Sequence, residues 1–283
     1  MGYNEMGQRF REIRKVFKLT LKDLDSDQIT YSQIAKFERG EQMITVDKLF
    51  YLLNCVGLTP NEFFYDFRDS KFPDFEQLTD KMVSYFQNNE TDKIIELIHN
   101  FENTESDSTT YHSLNSIMLR IVANELDSNI VVTDDEIQFL SDYLFSVDMW
   151  TTYDITLFSN SISFLPPELI EVLTLELLTS PNNNLEIASR KSLVRAAALN
   201  ALTTLVKNKK FTTSKTIRDY LEPLISKDML IEFAIFEFLD NLLVHVDYPN
   251  PQNITRNNEI LYALRLLDFP TPVLNQLRNE LMK

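Results

Sequence analysis

Tyr31, Ser32, Gln33 and Lys36 place a phenol, a hydroxyl, a carboxamide and an ammonium within six residues. That set suits hydrogen bonding to base edges better than bond-making chemistry. On a helix whose inward positions are Ile34 and Phe37, all four face outward. Tyr31 can touch a thymine methyl or a phosphate, Gln33 can pair with adenine, and Lys36 can reach guanine O6 and N7 or a phosphate. Thr45 opens the next helix, whose free backbone N–H groups could hold a phosphate. Arg9, Arg11 and Arg39 add positive charge for the phosphate backbone.

The elements that must position these groups are short and well punctuated. Phe10, Ile13, Val16 and Phe17 share one face of a first helix over 5–17. Thr20, with Asp23 three positions on, predicts a short second helix that ends near Asp25 or Ser26. Thr30 caps a third, with Gln33 at the capping-box position and Gly40 as terminator. Thr45 caps a fourth that carries Leu49, Leu52, Leu53 and Val56 and closes at Gly57; Thr59-Pro60 opens a fifth, which buries Phe63 and Phe64. Two short helices joined by a tight turn inside a five-helix bundle describe a helix-turn-helix domain. Charge separates it from the remainder: residues 1–66 carry a net −1, with six basic against two acidic residues in 1–22, and residues 67–283 carry −14. The expected organisation is a DNA-binding domain over 1–66, a linker over 67–74 and a helical repeat domain over 75–283.

The stretch Thr30-Tyr31-Ser32-Gln33-Ile34-Ala35-Lys36-Phe37-Glu38-Arg39-Gly40, taken with Phe10-Arg11-Glu12-Ile13-Arg14-Lys15, resembles the Rgg/MutR branch of phage-repressor-like transcriptional regulators. The turn Asp25-Ser26-Asp27-Gln28 departs from the wider repressor pattern, being one residue shorter and without glycine. The resemblance implies a structural ion pair between Arg14 and Glu38. It also implies a homodimer on two promoter half-sites of double-stranded DNA, and control by a short hydrophobic secreted peptide (quorum sensing) held in a tetratricopeptide-like domain. Trp150-Thr151-Thr152-Tyr153-Asp154 resembles the family's Trp-x-x-Tyr-Glu segment, with Asp154 where glutamate is usual. Some relatives carry a regulatory cysteine where this chain has Thr45 and Val46, so that switch does not transfer.

From residue 74 onward a period near 3.6 predicts helices over 75–88, 91–103, 108–126, 133–147, 152–164, 167–178, 184–207, 213–225, 227–247, 252–267 and 271–282. Connections this short fold successive helices into hairpins, and a helix-pair spacing of about 35–40 residues fits a degenerate tetratricopeptide-like α-solenoid. The fold class is therefore all-α. Residues 229–246 are apolar on nearly every side and read as a central buried helix. Polar groups that interrupt apolar helices are the candidate peptide contacts: Asn160, Arg190, Arg195, Asn200 and Asn241, with Trp150, Tyr153, Ile187 and Phe233 as apolar walls. Arg190 or Arg195 could take a terminal carboxylate. The last two helices, with Ile260, Leu261, Leu264, Leu267, Val273, Leu274, Leu277 and Leu281, are expected to form the dimer.

Enzyme chemistry finds little support. The chain has four glycines, all at or before Gly57, which excludes a phosphate loop or nucleophile elbow beyond it. His99, His112 and His245 lack metal-ligand spacing, and Cys55 is the single cysteine, so no metal, cofactor or internal disulfide is expected. No run of 18 apolar residues occurs and no apolar leader opens the chain, so the expected location is the cytoplasm without membrane insertion. Two other functions fit the same helices. One is a regulator whose solenoid binds a protein partner rather than a peptide; the other is a helical scaffold or inhibitor with a vestigial DNA-binding domain.

Overall fold

The computed structural model describes residues 3–65, 75–103, 109–180, 188–270, 273–275 and 277–278, and these contain helices and no strand. The chain divides into two compact units, Met1–Leu78 and Thr79–Lys283.

The first unit holds α1 (Tyr3–Val16), α2 (Tyr31–Glu38), α3 (Val46–Cys55) and α4 (Pro60–Tyr65). Its core is Phe10, Ile13, Leu24, Ile29, Ile34, Phe37, Leu52, Leu53, Val56 and Phe63. The Phe10 and Phe37 rings meet 6.2 Å apart where α1 packs on α2. Gly7 makes that crossing possible: a Cβ there would lie 1.8 Å from the Phe37 carbonyl oxygen and 2.7 Å from its carbon. The two backbones touch, with no room for a side chain between them.

The short helix expected after Thr20 is a single turn instead. Thr20 and Lys22 carbonyls accept from the Asp23 and Asp25 N–H groups at 3.2 and 3.3 Å, and Asp23 caps back onto the Thr20 N–H at 2.6 Å. Asp25, Ser26 and Asp27 follow directly, and side chains that bond their own backbone stop a helix from propagating. Ser26 Oγ indeed accepts from the Gln28 and Ile29 N–H groups. Gly40 and Gly57 take φ of 71° and 70° at the ends of α2 and α3, the left-handed step that closes a helix.

The second unit continues α5 (Phe75–Gln87) and adds α6 (Thr91–Glu102), α7 (Thr110–Asn124), α8 (Asp134–Phe145), α9 (Thr152–Ser161), α10 (Pro167–Thr179), α11 (Ala188–Lys207), α12 (Phe211–Leu221), α13 (Leu230–Asp247) and α14 (Pro251–Leu266). Short 3-10 turns extend α9 and α12, at Ile162–Phe164 and Glu222–Leu224. Thr133 with Glu136 and Thr151 with Asp154 close capping boxes on α8 and α9. Without glycine after Gly57, the closing left-handed residues are Asn89, Lys209 and Asp268, with φ between 53° and 60°. Each carries a steric cost of about 1–2 kcal/mol that glycine would avoid.

α6 packs on α7, α7 on α8, and each helix from α10 to α13 on the next; beyond that α7, α9, α11 and α13 pack in sequence as one row while α8, α10 and α12 form another. This is the two-layer arrangement of a helical-hairpin solenoid. The core runs between the rows through Leu114, Met118, Phe158, Leu173, Leu177, Leu202, Leu205 and Phe238. α13 corrects one expectation. It buries Phe236, Phe238, Leu239 and Leu243 but leaves Leu230, Ile231, Val244 and Val246 exposed. Among the described helices it packs on α11, α12 and α14, and these cover one side of it.

Candidate functional site

The outward face of α2 is built by its caps. Thr30 Oγ1 accepts from the Gln33 N–H at 3.4 Å, Gln33 Oε1 accepts from the Thr30 N–H at 3.2 Å, and Asp25 Oδ1 accepts from the Tyr31 N–H at 2.7 Å. Three N–H groups at this helix start are therefore satisfied internally. Tyr31, Ser32 and Lys36 are exposed on the side opposite Ile34 and Phe37, while Gln33 is half-buried under its cap. Lys48 on α3 donates to the same Gln33 oxygen at 3.3 Å.

The opposite end of α2 is fixed by Arg14. Its Nε and Nη2 donate to the two Glu38 carboxylate oxygens at 2.6 and 2.7 Å, and its Nη1 donates to the Leu19 carbonyl at 2.6 Å. The Glu38 hydrogen bonds, outweighing the effect of burial, raise the Arg14 pKa above its ordinary value. One side chain thus ties α1, the turn after it and the C-terminus of α2 together.

The other candidate DNA contacts sit on the surface with partners of their own. Arg9 lies 3.6 Å from Glu12, and Arg39 holds Glu41 at 2.6 and 2.8 Å. Arg11 is exposed on α1. Thr45 is the exposed N-cap of α3 without capping a backbone N–H; its hydrogen bond holds the Asp47 carboxyl below the usual range. Asp47 thus places a negative charge at the helix start that the sequence offered as a phosphate site.

In the second unit the candidates are distributed along the α9–α11–α13 row. Trp150 lies in the core, 2% exposed, edge-on to Phe158 at 5.6 Å with Nε1 donating to Glu176 at 3.4 Å. Arg190 donates to the Trp150 carbonyl. Asn200 is exposed on α11 and donates to Ser159 Oγ and the Ser159 carbonyl on α9 at 3.1 and 3.3 Å, which leaves its own Oδ1 facing out. Asn160 returns its amide to the Thr156 carbonyl at 2.8 Å. Arg195 is buried, 3.9 Å from Glu232, and its Nε lacks a hydrogen-bond partner. Asn241 donates to buried Asn257 at 3.1 Å, and Asn257 in turn donates to the Phe238 carbonyl, so this amide joins α13 to α14. Ile187 lies outside the described residues.

Tyr153 belongs to a tyrosine cluster that the sequence did not reveal. Its ring lies edge-on to Tyr111 at 5.0 Å and Tyr143 at 6.5 Å, and its hydroxyl donates to Asn115 at 3.0 Å. Tyr143 donates to Asp154 at 2.7 Å. Burial foremost pushes both phenol pKa values up, followed by the hydrogen bond to Asp154 for Tyr143 and by the Asp154 charge for Tyr153. Asp154 is buried and also accepts from the Thr151 N–H at 2.8 Å, so the Trp-x-x-Tyr-Asp segment organises the start of α9.

The described residues of this unit form clefts, of which two are well defined. One of about 420 Å³ between α7 and α8 is lined by His112, Ser116, Ile117, Arg120, Glu136 and Phe139. The other, about 350 Å³, is lined by Phe233, Phe236, Glu237 and Arg256 beside the turn before α13. Among the described residues no group of His, Cys, Asp and Glu could hold a metal ion, and no helix is long and apolar enough to cross a membrane.

Residues 97–275 match the profile of a family described as HTH-type transcriptional regulator Rgg, C-terminal domain. Solved structures share the whole architecture at low identity. The Streptococcus dysgalactiae SHP pheromone receptor Rgg2 superposes with a TM-score of 0.77 at 22% identity, covering 92% of this chain and 93% of that one. A bacterial peptide pheromone/receptor complex gives 0.71 at 16% identity over 98% and 97%. A PrgX/cCF10 complex gives 0.71 at 17% over 100% and 92%.

Proposed function

Because the chain belongs to the Rgg family of helix-turn-helix transcriptional regulators, we propose that it binds promoter DNA as a homodimer and that a short hydrophobic peptide, held in the helical repeat domain, controls that binding. The observation that carries the DNA half is α2: capped at its start, clamped at its end by Arg14, and showing Tyr31, Ser32 and Lys36 outward. Gln33, Arg9, Arg11, Arg39 and the start of α3 at Thr45 form the surrounding contact face. A vestigial domain would have no reason to keep this polar face. Residues 1–66 carry no net positive charge, so tight binding requires two copies on two half-sites. Exposed Ile254, Tyr262 and Leu266 recur at helical spacing along α14 and supply the apolar surface for pairing.

The peptide half comes from the similar receptors, two of which are named for pheromone complexes or receptors. The row α9, α11 and α13 offers the ligand face, where Asn200 presents a free carbonyl oxygen and Arg195 an incompletely bonded cation. A domain of net −14 favours a neutral or basic, largely apolar peptide. The regulator works in the cytoplasm, where promoter DNA is found, and needs no cofactor.

The test is a mobility-shift titration of the full chain on DNA from upstream of its own gene, at several salt concentrations, with and without peptides recovered from spent culture medium. Specific, salt-sensitive binding that a peptide alters supports the proposal. Binding to DNA that no such peptide alters would favour a protein partner on the solenoid.

A further inference from the structure

Gln33 and Lys48 join the starts of α2 and α3 through one oxygen atom. Gln33 Oε1 accepts from the Thr30 N–H at 3.2 Å and from Lys48 Nζ at 3.3 Å. A carboxamide oxygen has two lone pairs, and both are engaged here. The groups left to this pair are the Gln33 Nε2 amino group, on a half-buried side chain at the N-terminal end of the exposed α2 face, and the remaining N–H donors of Lys48. All of them are donors.

This changes which base the pair can recognise. Glutamine selects adenine by a two-point contact, donating to N7 while its oxygen accepts from the N6 amino group. That second contact needs an acceptor, and the capping box together with Lys48 has taken it. Guanine presents N7 and O6, two acceptors side by side, which complement a donor-only pair. Lys48 stands in the first turn of α3, where the helix dipole disfavours a cation. Its bond to Gln33 and the neighbouring Asp47 carboxylate compensate for that placement.

We infer that the Gln33–Lys48 pair reads guanine in the half-site and rejects adenine, with Lys48 as the positioning residue that decides between them. The inference rests on the DNA-binding proposal above. It assigns to Gln33 a different base from the one its residue type alone suggests.

The experiment is selection of duplexes from a randomised library by the full-length protein, compared with its Lys48→Met and Gln33→Glu variants. Circular dichroism melts establish that each variant folds. Gln33→Glu keeps an acceptor for the Thr30 cap while removing the amide donors, so it separates base reading from capping. The wild type should show a guanine position that weakens in Gln33→Glu and turns toward cytosine, whose N4 amino group a carboxylate accepts. Lys48→Met frees one lone pair and should raise adenine relative to guanine at that position by about tenfold, within the discrimination of a good two-point contact. Adenine at the Gln33-dependent position in the wild type would overturn the inference. So would an unchanged ratio in Lys48→Met, or the absence of any Gln33-dependent position. Wild-type protein that selects no sequence over random DNA would instead overturn the DNA-binding proposal, and this inference with it.

Discussion

Arg14 grips both oxygens of Glu38, 24 residues away along the chain, and the pair is almost entirely removed from water, at 8% and 4% exposure. Such a pair gives little net stability relative to a well-packed apolar substitute, but removing one partner strands a buried charge. Arg14→Ala should therefore destabilise the first unit by about 3–5 kcal/mol in urea unfolding. Replacing both partners, as Arg14→Met with Glu38→Leu, should recover much of that loss. A double variant no better than the single would show that the cost lies in lost packing and the bond to the Leu19 carbonyl rather than in the stranded carboxylate.

Gly7 bears on the same helix crossing from the other side. An added methyl would sit far inside van der Waals contact distance of the Phe37 carbonyl oxygen, and that atom is backbone that cannot swing aside. Alanine is favoured over glycine within a helix by about 1 kcal/mol, yet here the clash should dominate, at about 1–3 kcal/mol. Gly7→Ala should lower the melting temperature and weaken DNA binding together, because α1 must lift away from α2. Gln8→Ala, one exposed position along, should change neither. Equal melting temperatures for Gly7→Ala and the wild type would mean that α1 shifts without cost.

Local signals made the fold legible. Thr30, Thr133 and Pro167 mark helix starts in the sequence and begin helices in the structure, because capping is decided within four residues. The turn after Thr20 stops short of the expected helix for the complementary reason. Its cap is present, but the polar run from Asp25 leaves nothing to propagate. The site was harder to read because side-chain type does not show which partner claims a side chain. Gln33 in isolation offers a donor and an acceptor, and only the approach of Lys48, 15 residues on, removes the acceptor. Trp150 and Asn241 look like ligand contacts from their surroundings in sequence, yet one fills the core and the other joins α13 to α14. The tyrosine cluster draws on α7, α8 and α9 and leaves no local pattern at all.

These placements separate two residues of the proposed peptide face. Trp150→Ala removes a buried indole and should cost about 3–5 kcal/mol of stability with or without peptide. Asn200→Ala removes an exposed amide and should leave the melting temperature nearly unchanged. If its free oxygen accepts a peptide N–H, peptide affinity should fall by about 1–3 kcal/mol whatever the peptide's side chains. Fluorescence polarisation with labelled peptides reads this directly. Unaltered affinity in Asn200→Ala would remove that residue from the contact set.

Tyr262 and Leu266 lie one turn apart and exposed on α14, while Leu264 between them is buried. Charging the exposed pair, as Tyr262→Glu with Leu266→Glu, should spare the fold and convert the proposed dimer to a monomer in analytical ultracentrifugation. DNA affinity should drop with it, since each copy then binds a single half-site. A variant that remains dimeric would place the interface elsewhere.

Acid stability should depend on Glu136. This carboxylate accepts from the Thr133 N–H and Oγ1 at 2.9 and 3.0 Å and from Arg120 Nη1 at 3.2 Å. Burial pushes its pKa up, but the bonds from Arg120 and Thr133 together outweigh burial and hold it below the ordinary value. A carboxylate depressed in the folded state stabilises while it is ionised. Its contribution is complete above the unfolded value of about 4.3 and is lost as pH falls through the lower folded value. The second unit should therefore lose stability on acidification below about pH 4. Glu136→Gln keeps the side-chain shape without the charge, so it should be less stable at neutral pH and show a shallower acid limb. Trp150 is the chain's single tryptophan and lies in this unit, so its fluorescence follows the transition without interference from the DNA-binding domain. Parallel acid limbs in the two proteins would mean that Glu136 titrates alike in the folded and unfolded chains, and the ion pair with Arg120 would then contribute nothing to acid sensitivity.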